Sequence, residues 1–440
     1  MPDVSFDNLL VICLVAAAAP LALGFAPRLR LPAVVLEILA GVVLGPSVLG
    51  WVEVDLPVQI LALIGLAFLL FLSGLEIDVH RLHGDLLRVA VLGYVLSLVI
   101  GLPIGLGIGA AAWAQDPLLL VIALSATSLG LVVPVLKDAG RADGEVGQTV
   151  IVAATVADFA AIVLLSLLFS ASEGGTGSRL VLAASFAVLV GATALLVSRA
   201  GRSMRLGDVL LRLQDTTAEI RVRLAVVLLV AFTALAEHVG LESILGAFLA
   251  GVVVSAVDRD SRSHPHFRTK LEAIGYGFLV PVFFVSSGVR LDLAGLLETP
   301  SALLRVPVLL VALLLVRGLP AVLYVRTLGR RPALAAGLLQ ATSLPFIVAA
   351  SQIGAEVGAL SPVTGAALVS AGLLSVLFFP AAALSLLRTQ PAAPGREPDA
   401  HVRGPRRVDP PREPRHPVRT ARPADHHDSY GERRSRRPGS

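Results

Sequence analysis

Thirteen apolar runs, each long enough to cross a bilayer as a helix, constrain this chain more than any other feature. They cover 8–26, 33–51, 57–75, 87–113, 117–138, 147–170, 179–198, 221–238, 241–257, 272–289, 302–325, 332–353 and 362–387. Runs of roughly 17–27 residues match a hydrocarbon core about 30 Å thick at 1.5 Å of helix rise per residue. Lipid offers no water to bare backbone N–H and C=O groups, so the expected fold is an all-α polytopic membrane protein of about 13 transmembrane helices. Composition agrees: 55% of the 440 residues are hydrophobic and 15% charged, with a mean hydropathy of +0.81. A soluble domain carries charge on about a quarter of its residues. A soluble catalytic domain is therefore not expected within 1–390. The single cysteine, Cys13, forms no intrachain disulfide. The start, "MPDVSFDN", has two aspartates and no Lys or Arg, so the first run reads as a retained span rather than a signal peptide. Runs eight and nine form one apolar stretch of about 36 residues, or about 54 Å, too long for one span. Glu237, His238 and Glu242 mark its break.

The basic residues test this count. The connections after odd-numbered runs hold 19 Lys and Arg, and those after even-numbered runs hold 3. By the positive-inside rule the N-terminus is outside and the C-terminus cytoplasmic. The chain then divides into a membrane domain, 1–390, and an Arg/Pro-rich cytoplasmic tail, 391–440. The tail has 12 Arg against 7 Asp and Glu, and one aromatic, Tyr430. It cannot bury a core and is expected to be disordered. Its arginines suit the anionic inner leaflet of the lipid bilayer. Without interleaved aromatics it points to no nucleic acid.

A short segment occurs twice. "SATSLGLVVP" (125–134) lies in run five and "QATSLPFIVA" (340–349) in run twelve, so Ala126-Thr127-Ser128-Leu129 returns as Ala341-Thr342-Ser343-Leu344. The copies lie seven runs apart, an odd offset, so they cross the membrane in opposite directions. That is the mark of inverted-topology repeats, common in secondary transporters. Thr, Ser and Gly, with Pro134 and Pro345, loosen the helical ladder. Two unwound helices crossing near the midplane present half-helix ends and carbonyls to an ion. The competing reading makes the hydroxyls small residues at a packing seam.

Run six carries Asp158 near its centre and no basic residue within it. A carboxylate at mid-membrane costs roughly 2.5–3.5 kcal/mol even on the lenient insertion scale. It is neutralised by a proton or by a bound cation, and not by both at once. That competition is the minimum machinery for exchanging one against the other.

At this point a resemblance becomes specific. The stretches "VVLEILAGVVLGPSVLG" (35–49), "LLFLSGLEID" (69–78), "ALSATSLGLVVPVLKDAG" (123–140), "GLESILGAFLAGVVVS" (240–255), "PVFFVSSGVRLDL" (281–293) and "LLQATSLPFIVAASQIG" (338–354) resemble, in order, the monovalent cation:proton antiporter-2 family. These are bacterial Na+/H+ and K+/H+ antiporters with the NhaA-type fold. The resemblance implies that runs five and twelve are the crossed, unwound helices and run six the ion-binding helix, with Asp158 its essential aspartate. Asp158, Thr127 and Ser128 would bind proton or monovalent cation (Na+, K+ or Li+), supported by Thr342, Ser343, Pro134 and Pro345. It implies a likeness to homodimers of the bacterial cytoplasmic membrane whose core moves like an elevator. No cofactor and no enzymatic activity are expected.

The chain departs from that pattern at Ala157, where electrogenic members have a second aspartate and others Asn or Gln. One site carboxylate points to electroneutral 1:1 exchange. Arg290, at the end of run ten, stands near where some relatives carry a basic partner for the aspartate; a helix-end arginine reaching the interface is the alternative. Arg317 lies well inside run eleven and is expected to pair with a carboxylate. Glu37, Glu76 and Glu237 lie near span ends. His264 and His266 fall in the basic loop before run ten, as a pH sensor or as ordinary solvated residues. "GLPIGLGIGA" (101–110) suits close helix packing, within the protomer or at a dimer seam. No G-x-G-x-x-G unit follows the last run, so the nucleotide-binding regulation of glutathione-gated K+ efflux relatives is not expected. Two other transport classes compete: a channel-like K+ efflux protein, which would use filter loops around a pore, and a sodium-coupled organic-anion symporter on the same fold. An intramembrane aspartyl protease would need a second membrane aspartate.

Overall fold

The computed structural model describes residues 5–25, 32–77, 84–169, 219–257, 265–298 and 300–388, with isolated positions at 181, 184, 188 and 191. Apart from those four positions the seventh run, with most of the basic loop after it, His264 and the tail from 391, lies outside the described residues. All elements among the described residues are helical, and no strand occurs among them. In chain order these are α1 (Asp7–Phe25), α2 (Ala33–Leu44), α3 (Leu56–Leu75), α4 (Asp85–Ala110), α5 (Pro117–Ser125), α6 (Leu129–Asp138) and α7 (Glu145–Leu168). Then follow α8 (Ile220–His238), α9 (Ser243–Val257), α10 (Pro265–Ile274), a π turn (Gly275–Leu279), α11 (Val280–Val289) and α12 (Leu293–Glu298). The remainder are α13 (Pro300–Gly318), a 3-10 segment (Leu319–Tyr324), α14 (Val325–Leu328), α15 (Arg330–Gln340), α16 (Pro345–Glu356) and α17 (Pro362–Arg388).

Nine helical stretches among the described residues are long and apolar enough to span a membrane. Two of these, Pro117–Lys137 and Arg330–Glu356, join α5 with α6 and α15 with α16 across the repeated segment. The second and ninth runs form shorter apolar helices. The helix of run two stops at Leu44, not residue 51, because Pro46 has no N–H to continue the ladder and disfavours helical backbone at Gly45. Runs eight and nine are separate helices, as Glu237 to Glu242 suggested. Helix starts follow their sequence signals. Asp55 accepts from Val58 N at 3.1 Å at the head of α3, and Asp116 from Leu118 N at 2.9 Å at the head of α5. Each is followed by a proline in the first helical turn.

The α4 surface shows what the outer faces meet. Leu92, Val95, Val99, Leu102 and Leu106 are all exposed at three- and four-residue steps, an apolar stripe fit for lipid. The small residues of the same helix turn inward: Gly101 and Gly105 lie against Val121 of α5, and Gly109 against Pro117. The "GLPIGLGIGA" segment is therefore a packing seam within the chain. Elsewhere paired glycines bring backbones together. A Cβ at Gly41 of α2 would strike the Val285 carbonyl of α11, and one at Gly288 would strike the Ile38 carbonyl in return. Close approach of this kind holds helices where lipid removes most of the hydrophobic drive. The broken helices are the most enclosed part: 83% of the Arg330–Glu356 window is buried, against 11% for α1.

Candidate ion-binding site

Both copies of the repeated segment interrupt a helix. α5 ends at Ser125, and Ala126 is extended, with φ −78° and ψ 156°. Three non-helical residues pass before α6 begins at Leu129. In the second copy α15 ends at Gln340, and α16 restarts with Pro345 at its first position. The two breaks touch. Ser128 N donates to the Thr342 carbonyl at 3.0 Å, and the Thr127 hydroxyl donates to the Gln340 carbonyl at 2.7 Å. Backbone groups freed at one break thus find partners at the other, which is how irregular backbone survives at membrane depth. Pro134 departs from its expected place: it sits inside α6, six residues past the break, and lines a cavity. Pro345 opens α16, where its missing N–H costs nothing.

α7 brings Asp158 to the first break. Ala154, Ala157 and Ala161 on the same helix are fully buried, and their small side chains let α7 come close. Asp158 Oδ2 accepts the Leu129 N–H, at the start of α6, at 3.2 Å. The positive end of the helix dipole lies there. Asp158 Oδ1 is buried and has no hydrogen-bond partner. One oxygen is held in place while the other is free to take a proton or to coordinate a cation.

Arg317 proves to be part of this site, and the sequence alone did not place it there. It is among the largest fully buried side chains among the described residues. Its expected carboxylate partner does not appear: no ion pair among the described residues includes it. Nε donates to the Thr127 hydroxyl at 2.8 Å and Nη1 to the Ser97 hydroxyl of α4 at 3.1 Å, while Nη2 has no partner. The Thr127 oxygen therefore accepts from a guanidinium and donates across to the second break. Its capacity is largely committed to holding the two breaks together. Ser128, at the head of α6, makes no side-chain capping bond. Arg290 lies elsewhere. It is exposed at the end of α11 and lines a cavity of about 230 Å³ with Asp292, Gln352 and Glu356. Glu37 is buried within α2 and Glu237 is exposed on α8.

The second break is finished differently. Ser375 of α17 accepts from Ser343 N at 3.2 Å, and its one proton is shared between the Gly372 carbonyl of its own helix at 2.7 Å and the Ser343 carbonyl at 3.1 Å. The Thr342 hydroxyl turns back to the Leu338 carbonyl of its own helix at 3.2 Å. The Ser343 hydroxyl is buried without a partner, as is Gln340 Nε2. Unpartnered buried polar atoms are rare and call for an occupant or a role. Asp158 Oδ1, Arg317 Nη2, Gln340 Nε2 and Ser343 Oγ all belong to residues at the breaks or bonded to them. A cavity of about 1090 Å³ runs from Arg141 and Leu387 to Thr342 at the second break. Gly130, one residue past the N–H that holds Asp158, also lines it.

Comparisons with known proteins identify the family and the fold. YjbQ of Bacillus subtilis is 31% identical over 399 residues, covering 86% of this chain and 63% of YjbQ. The glutathione-regulated potassium-efflux system protein KefC of Klebsiella pneumoniae is 28% identical over 396 residues, covering 87% of this chain and 61% of KefC. This chain thus spans somewhat less than two thirds of either relative. The solved structure of the sodium proton antiporter MjNhaP1 from Methanocaldococcus jannaschii superposes with a TM-score of 0.62 at 17% identity, covering 87% of this chain and 98% of that one. The fold is therefore of the kind found in that antiporter. The family model for transmembrane sodium/hydrogen exchangers matches residues 13–386, and the chain belongs to that family.

Proposed function

We propose that this protein is a secondary active transporter that exchanges a monovalent cation, Na+ or K+, for H+ through Asp158. It works as a homodimer in the cytoplasmic membrane of a bacterium, with 13 spans on the NhaA-type plan. The observation that carries the reading is the Asp158 carboxylate: buried at a helix break, anchored through one oxygen and open at the other. A proton and a cation compete for that oxygen. Arg317 contributes a fixed positive charge, since a guanidinium does not deprotonate in proteins. Ala157 beside Asp158 brings no second acid, which supports a 1:1 cycle that moves no net charge. The names of relatives, Na+/H+ antiporters and a potassium-efflux system, support both cations as substrates.

The test is a pH-dye assay on reconstituted protein with each cation added in turn. Asp158→Asn preserves shape and membrane insertion but removes the titratable charge, and cation-driven proton movement disappears. Near-normal exchange by that variant would end the reading. In liposomes whose voltage is set by K+ and valinomycin, Na+- or Li+-driven end points stay the same at every voltage. A membrane potential is worth about 2.3 kcal/mol per charge per 100 mV, so a second charge in the cycle would move them visibly.

A further inference from the structure

The helices fall into two groups. α2, α3, α8, α9 and α11 pack on one another, and α4, α5, α7, α13, α15, α16 and α17 pack on one another. A seam runs between the groups and holds both cavities. The larger has Pro32, ahead of α2, on one side and residues of α6 and α17 on the other, and it reaches Thr342 within the second break. The smaller, of about 230 Å³, has Ser287, Arg290 and Asp292 on the first group and Val348, Gln352 and Glu356 on the second. Val348 and Gln352 lie past the break, on α16. The cavities therefore approach the breaks from opposite ends of the seam.

At the smaller cavity one side-chain hydrogen bond crosses the seam. Gln352 Nε2 donates to Ser287 Oγ at 2.8 Å, and Ser287 Oγ donates in turn to the Phe283 carbonyl at 2.6 Å. Ser287 is buried, and so is Val348, one turn nearer the break than Gln352. Gln352 is seven residues past Pro345, about 10 Å along the helix axis. The bond thus lies between the breaks and the cavity's rim, where Arg290 is exposed. A second bond joins the groups near the end of α7, where Glu242 N donates to the buried Ser166 hydroxyl at 3.2 Å.

We propose that Gln352 and Ser287 form a latch closing the outer end of the seam, and that the cavity beside them is the outer mouth for the monovalent cation. This rests on Asp158 being the exchange site and on the orientation expected from the basic residues, which puts the ends of α11 and α16 outside. With the latch shut, the breaks are reached from the larger cavity. With it open, the amide and the hydroxyl take water as partners and the smaller cavity joins the breaks. Gln352 and Ser287 are positioning residues: they bind no ion, and they set how often the outer path is open.

The test uses the full chain with Cys13→Ser, which removes its single cysteine, and Val348→Cys as reporter. Right-side-out and everted vesicles are treated with a membrane-impermeant maleimide. Gln352→Met keeps the length of the side chain and removes the donor, and Ser287→Ala removes the acceptor. Each raises labelling from the outside about fivefold, the worth of one hydrogen bond exchanged for water. The double variant goes no higher than either single, because both changes remove the same bond. Labelling from the cytoplasmic face does not rise. The cation KM at the outer face falls by up to the same factor, because the open form takes a larger share of the population. Side chains that merely hold the fold would, when replaced, raise labelling at both faces. Labelling that stays at wild type in both single variants, rises equally at both faces, rises only from the cytoplasmic face, or adds up in the double variant overturns the latch. Labelling needs no transport, so full exchange by Asp158→Asn would remove the Asp158 reading and leave the labelling result to be read by itself.

Discussion

The two broken helices start from the same four residues and end in different chemistry. At the first break the following helix, α7, supplies a carboxylate, and Leu129 N holds one of its oxygens. At the second break the following helix, α17, supplies the Ser375 hydroxyl, which accepts from Ser343 N and lies within hydrogen-bond reach of the Ser343 carbonyl. Asp158 lies 29 residues beyond its break contact and Ser375 lies 32 beyond, so the two occupy corresponding places in the repeat. The neutral hydroxyl satisfies the backbone at its break; the carboxylate leaves an oxygen unsatisfied. On the reading proposed above, one copy of the repeat serves as scaffold while the other carries the exchangeable group. Arg317 deepens the asymmetry, because it reaches the hydroxyl of Thr127 in the first copy while Thr342 in the second bonds within its own helix.

The largest contrast is between the two following helices. Asp158→Asn abolishes exchange. Ser375→Ala removes two neutral hydrogen bonds at about 1 kcal/mol each, lowers the melting temperature in detergent, and leaves the cation KM near wild type. Loss of exchange in folded Ser375→Ala protein would break the division into reactive and scaffold copies. The next contrast sets Thr127→Val against Thr342→Val. The first strands Arg317 Nε and the Gln340 carbonyl in buried surroundings, for roughly 2–4 kcal/mol and a marked loss of transport. The second removes one bond to the preceding turn and costs less than about 1 kcal/mol. Thermal unfolding of purified protein ranks them, and equal losses would show that the copies are held alike. The smallest effect is expected at Pro345. Pro345→Ala changes stability by under about 1 kcal/mol, because the first N–H of a helix has no partner to lose.

Much of this was legible beforehand because it depends on short-range rules. The repeated segment reads as a pair of breaks since Thr, Ser and Pro act on their own turn of helix. Asp158 stands out since a lone carboxylate in an apolar run has few structural explanations. Facing was not legible. Arg290 and Arg317 both sit in apolar helices, and the resemblance pointed to Arg290; the structure leaves Arg290 exposed at a helix end and turns Arg317 inward to Thr127. Thr127 read as a cation-binding oxygen, whereas its hydroxyl clamps the two breaks. Glu76 read as a span-end residue, and only the structure shows that one of its carboxylate oxygens is buried without a partner.

By itself the sequence determined that the chain spans a membrane as helices, where those helices break, and which acid pays the cost of burial. Hydropathy, helix-breaking residues and the expense of a charge in lipid act locally and are written in residue order. The tertiary structure alone decided which arginine turns inward to the breaks and which hydroxyls are already engaged. Those outcomes depend on how each helix is rotated about its axis when it packs. Rotation is set by contacts among residues far apart in the chain, such as Ser97 and Arg317, 220 positions apart.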